Sequence, residues 1–479
     1  MDVLLVNPRH NGRAEIPPLG LEYLAAVLLE NFVKVSILDL DTHGHSDICE
    51  SLQHELSAHN PQVVGVTAMS DSFTSALQIL RIVKDYNPDI LTVLGGMHAA
   101  VRYETILNKH NDVDVIVRGE GDYAFQELVL HHLARSSFAP IDGISYRQNG
   151  DVVHTRERSL IKNLNALPLP AHHLVPNTDY ATRSISTSRG CFHNCSFCSI
   201  QSMYHRTVRI RSIESIIDEI EELVMNGARK IMFTDDNFTF SSTRISHLCQ
   251  VINARRLNQR AVFYAEGRID DIYRTPMMAG ILSNAGFRSL YIGAESGSNE
   301  ILRYYRKDIT TEQIRQGVFY CIEQNLTPVV NFILYGPRDT VDTMKETIAL
   351  AKHLFENGAE IAYAEALTPY PGTPLKDELE RDGKFRESEG VFYFDSYGSL
   401  NIDRTLELLN AARLITQLTR KNDILFEARK AYYELSYLDE LLDNSVPSDF
   451  EELRHRSAPG ESDGDMVHQV YEHIRSLLH

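Results

Sequence analysis

The chain has 479 residues, 43% of them hydrophobic and 23% charged, with a net charge of −18; that length suits roughly two to four domains of ordinary globular composition. No run approaches about 18 consecutive apolar residues, so no helix is expected to cross a membrane, and so acidic a chain, without a dense Lys/Arg run, is a poor match for nucleic acid. Three of its six cysteines fall within eight residues and three are scattered, which is no secreted disulfide framework and suits a reducing, cytoplasmic setting with one metal site.

In chain order, the start MDVLLVNPRHNG lacks a basic n-region and a small-residue cleavage site, and reads as a first strand. Helical spacing follows in PPLGLEYLAAVLLEN, then a strand in VKVSILDLD and a helix in ICESLQHELSAHN. VVGVTAM, SALQILRIVKDYN, ILTVLGG, a helix near Tyr103 to Asn108 and VDVIVRG continue the alternation. Short apolar runs between helices indicate a parallel sheet covered on both faces. Residues 1–138 are therefore expected to form an α/β, doubly wound, flavodoxin-like domain, with its ligand at the strand C-terminal ends. Ser70, Gly95, Gly96, His98, Gly119, Glu120 and Gly121 lie there. Asp41-Thr42-His43 follows the second strand and is read as a chance triplet.

Residues 139–183, punctuated by Pro, Asn and His, read as a linker. A second βα series then runs from 184 to 385. SISTS leads into a cysteine loop, and KIMFTDDNF, VFYAEGRID, SLYIGAES, VVNFILYG and IAYAEALTPY are five more strands, each followed by a helix. Six such units suit a partial (β/α)6 TIM-type barrel, whose chemistry belongs at strand C-terminal ends. Residues 386–479 read as a helical C-terminal extension.

The loop RGCFHNCSFCS carries Cys191, Cys195 and Cys198 in C-x3-C-x2-C spacing. Ordinary [4Fe–4S] sites take four thiolates, so three leave one iron open to another ligand. A structural zinc site prefers four ligands, usually in two separated pairs; His193 is the only nearby fourth, and it sits inside the same tight loop.

RGCFHNCSFC resembles the cluster loop of the radical S-adenosylmethionine (SAM) superfamily, with Phe192 where relatives often have Pro. PPLGLEYLAA, VVGVTAMSDS, VLGGMHA and VRGEGD resemble the N-terminal cobalamin (B12)-binding domain of one branch of that superfamily. The resemblance covers about residues 1 to 385. It implies a [4Fe–4S] cluster on the three cysteines with SAM on its open iron. It also implies SAM contacts from Phe197 (adenine), Asp235 or Asp236 (amino group), Arg268 (carboxylate), and Glu295 with Ser296 (ribose). Cobalamin is expected at the seven strand-end residues named above, with no protein imidazole on cobalt. GPRD departs from the family's Gly-Pro-Gly-Glu, which removes Asp339 from the expected contacts.

The activity so implied is reductive SAM cleavage to a 5′-deoxyadenosyl radical, used for cobalamin-dependent C-methylation of a small molecule. The alternative keeps the radical step for dehydration, cyclisation or rearrangement, with the B12 domain as scaffold. A low-potential electron donor such as flavodoxin or ferredoxin is the implied partner.

Overall fold

The computed structural model describes residues 1–10, 16–42, 48–176, 180–388 and 391–397. His43 and the helices expected beyond residue 397 lie outside them.

The first strands are β1 (Val3–Asn7), β2 (Val35–Asp39), β3 (Val63–Thr67), β4 (Leu91–Gly95) and β5 (Val115–Val117). They alternate with α1 (Leu19–Glu30), α2 (Ile48–His59), α3 (Phe73–Tyr86), α4 (Met97–Lys109) and α5 (Gly121–Leu133). The five strands are parallel in the order β2-β1-β3-β4-β5. Alternation along β1 shows why both faces need cover. Val3 and Leu5 pack with Leu21 of α1 and Phe125 of α5, whereas Leu4 and Val6 pack with Leu52 of α2, Ile79 of α3 and Leu107 of α4. The order reverses between β1 and β3, the place where a ligand crevice opens in such sheets.

The segment read as a linker contains two strands. β6 (Ile144–Gln148) and β7 (Asp151–His154) pair antiparallel and extend the sheet past β5. Asn149-Gly150 joins them with φ of 53° and 93°, the left-handed pair that a two-residue hairpin turn demands.

The second sheet opens with β8 (Arg183–Ile185); a separate two-stranded ribbon of β9 (Ser188–Arg189) and β10 (Arg209–Ile210) flanks the cysteine loop. The sheet continues with β11 (Lys230–Phe233), β12 (Val262–Gly267), β13 (Phe287–Glu295), β14 (Thr327–Tyr335) and β15 (Glu360–Ala366). β8 and β11–β15 are parallel and adjacent in chain order, giving the six-stranded open barrel. Its helices are α6 (Ile200–Tyr204), α7 (Ile213–Met225), α8 (Ser242–Ala254), α9 (Ile269–Arg274), α10 (Met277–Asn284), α11 (Asn299–Tyr304), α12 (Thr311–Glu323), α13 (Val341–Glu356) and α14 (Pro374–Arg381). The segment read as helical from residue 386 instead opens with a hairpin of β16 (Phe385–Ser388) and β17 (Val391–Phe394). Phe263, Ala265, Leu290, Ile292, Val330 and Phe332 belong to one core under the helices. The residues between them face the inside of the barrel.

A buried ionic cluster joins the two sheets. Glu22 of α1 accepts from Arg183 of β8 at 2.8 Å and meets His172 at 2.8 Å; the other His172 nitrogen meets Glu219 of α7 at 3.1 Å. Arg211 also bonds Glu219 and donates to the Tyr23 hydroxyl at 3.1 Å. Burial alone would lower the His172 pKa, but its bonds to Glu219 and Glu22 outweigh that and raise it to about 9. A histidine with a raised folded pKa stabilises fully below its unfolded value of about 6.5, and the gain is lost as pH rises through the folded value. Thermal stability is therefore expected to fall between about pH 6.5 and 9, by an amount on the order of 3 kcal/mol. His172→Gln should flatten that decline; an unchanged pH profile in the variant would reject the assignment.

Candidate active site

The cysteine loop is pinned from several sides. Gly190, just before Cys191, adopts φ of 92°, and its N–H donates to Asp236 Oδ2 at 2.7 Å. Asp235 accepts from Thr187 N–H at 3.1 Å, from the Thr187 hydroxyl at 2.7 Å and from the Ser188 hydroxyl. The two adjacent carboxylates thus divide the work. Asp235 is wholly enclosed and fixes the strand that enters the loop, while Asp236 is partly open. Past the second cysteine, Ser196 N–H donates to Tyr305 O at 2.9 Å, and Leu375 N–H donates to Ser196 O at 2.9 Å. A Cβ built on Gly190 meets Thr207 O at 2.0 Å, far inside contact distance. Gly190→Ala should therefore displace the loop and reduce SAM cleavage by roughly 10–100-fold, the usual cost of disturbing a ligand's supports. Wild-type rates with wild-type iron content would overturn this.

The electrostatics suit a metal cluster. Burial pushes the Cys191 thiol up and the Cys198 thiol up to about 12, so the protein by itself keeps both protonated. A cationic cluster reverses that preference, since coordinated thiols are deprotonated outright. Among the described residues no three His, Cys, Asp or Glu side chains close around a single ion. A cubane spreads its thiolates over separate corners, which three ligands on one loop can match. Burial and Arg268 together lower His193 to about 4.

The strand ends expected to meet SAM surround this loop. Arg268, at the end of β12, reaches Cys195 Sγ at 3.7 Å and is held by Asp270 at 2.9 Å and by Lys307 O. Phe197 packs edge-on against Tyr305, and Lys307 Nζ lies 5.9 Å from its ring centroid. Glu295 ends β13 with φ of 65° and pairs with Lys307 at 2.6 Å. Burial raises Asp236 to about 6. Ser296 is placed otherwise than expected. It is fully buried, 3.1 Å from the Thr347 hydroxyl, and accepts from Ser298 N–H at 3.1 Å, which leaves it a loop-fixing residue. Asp339 likewise holds its own loop through Gly336 N–H and Thr343.

A cleft of about 360 Å³, open at its mouth, lies between the two sheets. Leu5, Leu24, Gly65 and Phe125 give it an apolar depth; Gly95, Gly96, Gly119, Glu120 and Gly121 form its rim. The facing wall comes from the barrel: Ser186, Ser188, Thr234 and Asp236. Gly96 needs its glycine, because its φ is 90° and a Cβ would meet Ala68 O at 2.6 Å. Ser70 and His98 stand apart from this lining, contrary to expectation. They pair with each other at 3.0 Å, and the His98 ring stacks on Phe73 at 4.2 Å and Phe392 at 5.8 Å. Burial lowers His98 to about 4, so it is a neutral packing residue.

Sequence reasoning missed the clasp over this cleft. Arg189 binds Asp122 with two bonds of 2.7 and 2.9 Å and Glu120 at 3.1 Å, and Arg209 binds Glu120 at 2.6 Å. Arg189 stands directly before the cysteine loop, but its partners are 67 and 69 residues away, and no local pattern links them.

Comparison with known proteins agrees with this arrangement. The B12 binding domain family matches residues 10–129, and the Radical SAM superfamily matches residues 185–351. The chain is 32% identical over 367 residues to a protein of Pyrococcus horikoshii named uncharacterized methyltransferase PH0819, covering 75% of this chain and 77% of that one. It is 26% identical to the anaerobic magnesium-protoporphyrin IX monomethyl ester cyclase of Cereibacter sphaeroides, over 83% of this chain and 66% of that one. The fold matches that of the methyltransferase TsrM from Kitasatospora setae, solved with cobalamin and a [4Fe–4S] cluster bound, with a TM-score of 0.68, 21% identity, and 81% and 76% coverage of the two chains. With a glycine-rimmed cleft on one sheet, a three-cysteine loop on the other, and both families matched in that order, the chain belongs to the radical SAM enzymes that carry an N-terminal B12-binding domain, with a [4Fe–4S] cluster, SAM and cobalamin as cofactors.

Proposed function

We propose that this enzyme methylates a carbon of a small molecule by cobalamin-dependent radical chemistry. The observation that carries the reading is the shared cleft: glycines of the B12 domain form one wall, and Thr234 and Asp236 of the barrel form the other. Cys191, Cys195 and Cys198 hold the cluster. Asp236 takes the SAM amino group, Arg268 its carboxylate, Phe197 its adenine and Glu295 its ribose; Asp235 positions the loop. The glycine rim and Glu120 cradle cobalamin. When bound, the cluster supplies the electron that splits SAM to a deoxyadenosyl radical, and cobalamin supplies the methyl group. Arg268, held by Asp270, keeps positive charge beside Cys195. A low-potential flavodoxin or ferredoxin of the cytoplasm donates the electrons. No helix among the described residues is long and apolar enough to cross a membrane.

The test is anaerobic reconstitution with SAM, cobalamin and reductant, followed by mass spectrometry. Both S-adenosylhomocysteine and 5′-deoxyadenosine are expected. Deoxyadenosine without S-adenosylhomocysteine transfers the assignment to radical cyclisation or rearrangement, a reading that the cyclase relative favours.

A further inference from the structure

Residues 180–213, which include the cysteine loop, carry five arginines and no Asp or Glu, in a chain with 65 acidic residues. Four of the five turn inward onto carboxylates: Arg183 onto Glu22, Arg189 onto Asp122, Arg209 onto Glu120 and Arg211 onto Glu219. The fifth, Arg206, is exposed and pairs with no carboxylate among the described residues.

The backbone sets where Arg206 stands. His205 and Arg206 both take left-handed φ, 47° and 58°, an uncommon conformation for residues that carry a side chain. The turn brings the chain back onto the start of the cysteine loop. Thr207 O lies against Gly190, and Arg206 Nε donates to Phe192 O at 3.1 Å. Phe192 directly follows Cys191. Its ring is 42% exposed and meets Phe240 edge-on at 6.5 Å. A cation and an apolar ring thus share one spot of surface, one residue from a cluster ligand. Neighbouring carboxylates do not cancel the charge: Asp236 is taken by Gly190 N–H, and Glu120 and Asp122 are buried on Arg189.

We propose that this spot is where an acidic, flavodoxin-type electron carrier docks. The inference rests on the reading above, in which an outside protein reduces the cluster. Electron transfer weakens steeply with distance, so a carrier gains most by touching the surface next to a cluster ligand. A chain with a net charge of −18 repels an acidic partner from most directions, and a local cation beside the cluster loop gives it a preferred approach. Electron-transfer encounters are brief and bury little area, which suits a patch of this size. One electron leaves the carrier's flavin hydroquinone anion, giving its neutral radical, and reduces the oxidised cluster; no bond forms or breaks and no proton moves.

The test compares two reductants on the anaerobically reconstituted full chain: a reduced flavodoxin, and reduced methyl viologen, a small cation that needs no docking site. Cluster reduction is followed by freeze-quench EPR, and turnover by 5′-deoxyadenosine. Arg206→Gln should raise the half-saturating flavodoxin concentration about threefold and Arg206→Glu about tenfold, both effects shrinking as salt screens the charge. Arg206→Lys should stay near wild type. All three variants should keep wild-type iron content and wild-type rates with viologen, which separates docking from support of the loop. Equal flavodoxin dependence in wild type and Arg206→Glu overturns the proposal. So does a loss of the same size with viologen, which makes Arg206 a prop for the cysteine loop. A wild type that viologen cannot drive to deoxyadenosine sinks the radical reading and this inference with it. One that viologen drives and flavodoxin does not sinks this inference alone.

Discussion

Cys195→Ala is expected to abolish 5′-deoxyadenosine formation and to strip most of the iron from the anaerobically reconstituted protein. Cys195 is the most buried of the loop's three thiols, at 7% exposure, and it lies 3.7 Å from the Arg268 guanidinium. Two thiolates hold only two corners of a cubane, and the loop offers no replacement ligand of the same reach. Cys249→Ala and Cys321→Ala provide the contrast. Both thiols sit in the apolar core of the barrel among the helices, where burial raises each to about 12. These variants should keep the wild-type iron content and lose only some stability, as small core truncations do. About four irons per chain and undiminished SAM cleavage in Cys195→Ala would reject the cluster assignment.

The second large effect is on stability. Arg183→Met leaves Glu22, which is 0% exposed, facing only His172. Stranding one partner of a buried ion pair typically costs about 3–5 kcal/mol; protonated His172 still compensates Glu22, so a loss toward the lower end of that range is expected. The loss should show as a lower denaturation midpoint and, because Glu22 lies on α1 of the first domain and Arg183 on β8 of the barrel, as easier separation of the two halves by limited proteolysis. Arg183→Met combined with Glu22→Gln removes both charges and should recover much of the loss. The double-mutant cycle then isolates the pair. A single Arg183→Met variant as stable as the parent would show that the cluster contributes nothing to docking.

Legibility in the sequence followed distance along the chain. The cysteine triplet, the βα rhythm and the glycine-rich strand ends are local patterns, and they led to the cluster loop, both sheets and the cleft rim. The hairpin of β6 and β7 was also written locally, in Asn149-Gly150, but the polar residues around it read as linker. What escaped depends on pairs far apart. Asp235 looks like a free carboxylate until Thr187, 48 residues earlier, is seen to cap it. His98 looks like a loop histidine near a cofactor until Phe392 is found against its ring. Glu22 sits in an apolar helical pattern, and only Arg183, 161 residues away, explains why a charge is tolerated there.

Glu120 belongs to two sites at once. One of its faces lines the cobalamin-side cleft, and its oxygens grip Arg189, the residue that leads into the cysteine loop. One carboxylate thus touches both the cleft and the residue that leads into the cysteine loop, so any coupling between loading of the iron and corrin centres would be reciprocal. Whatever factor loading of the first adds to the grip on the second, the second returns in equal measure. Assembly order can change how fast the holoenzyme matures, and leaves its final free energy the same.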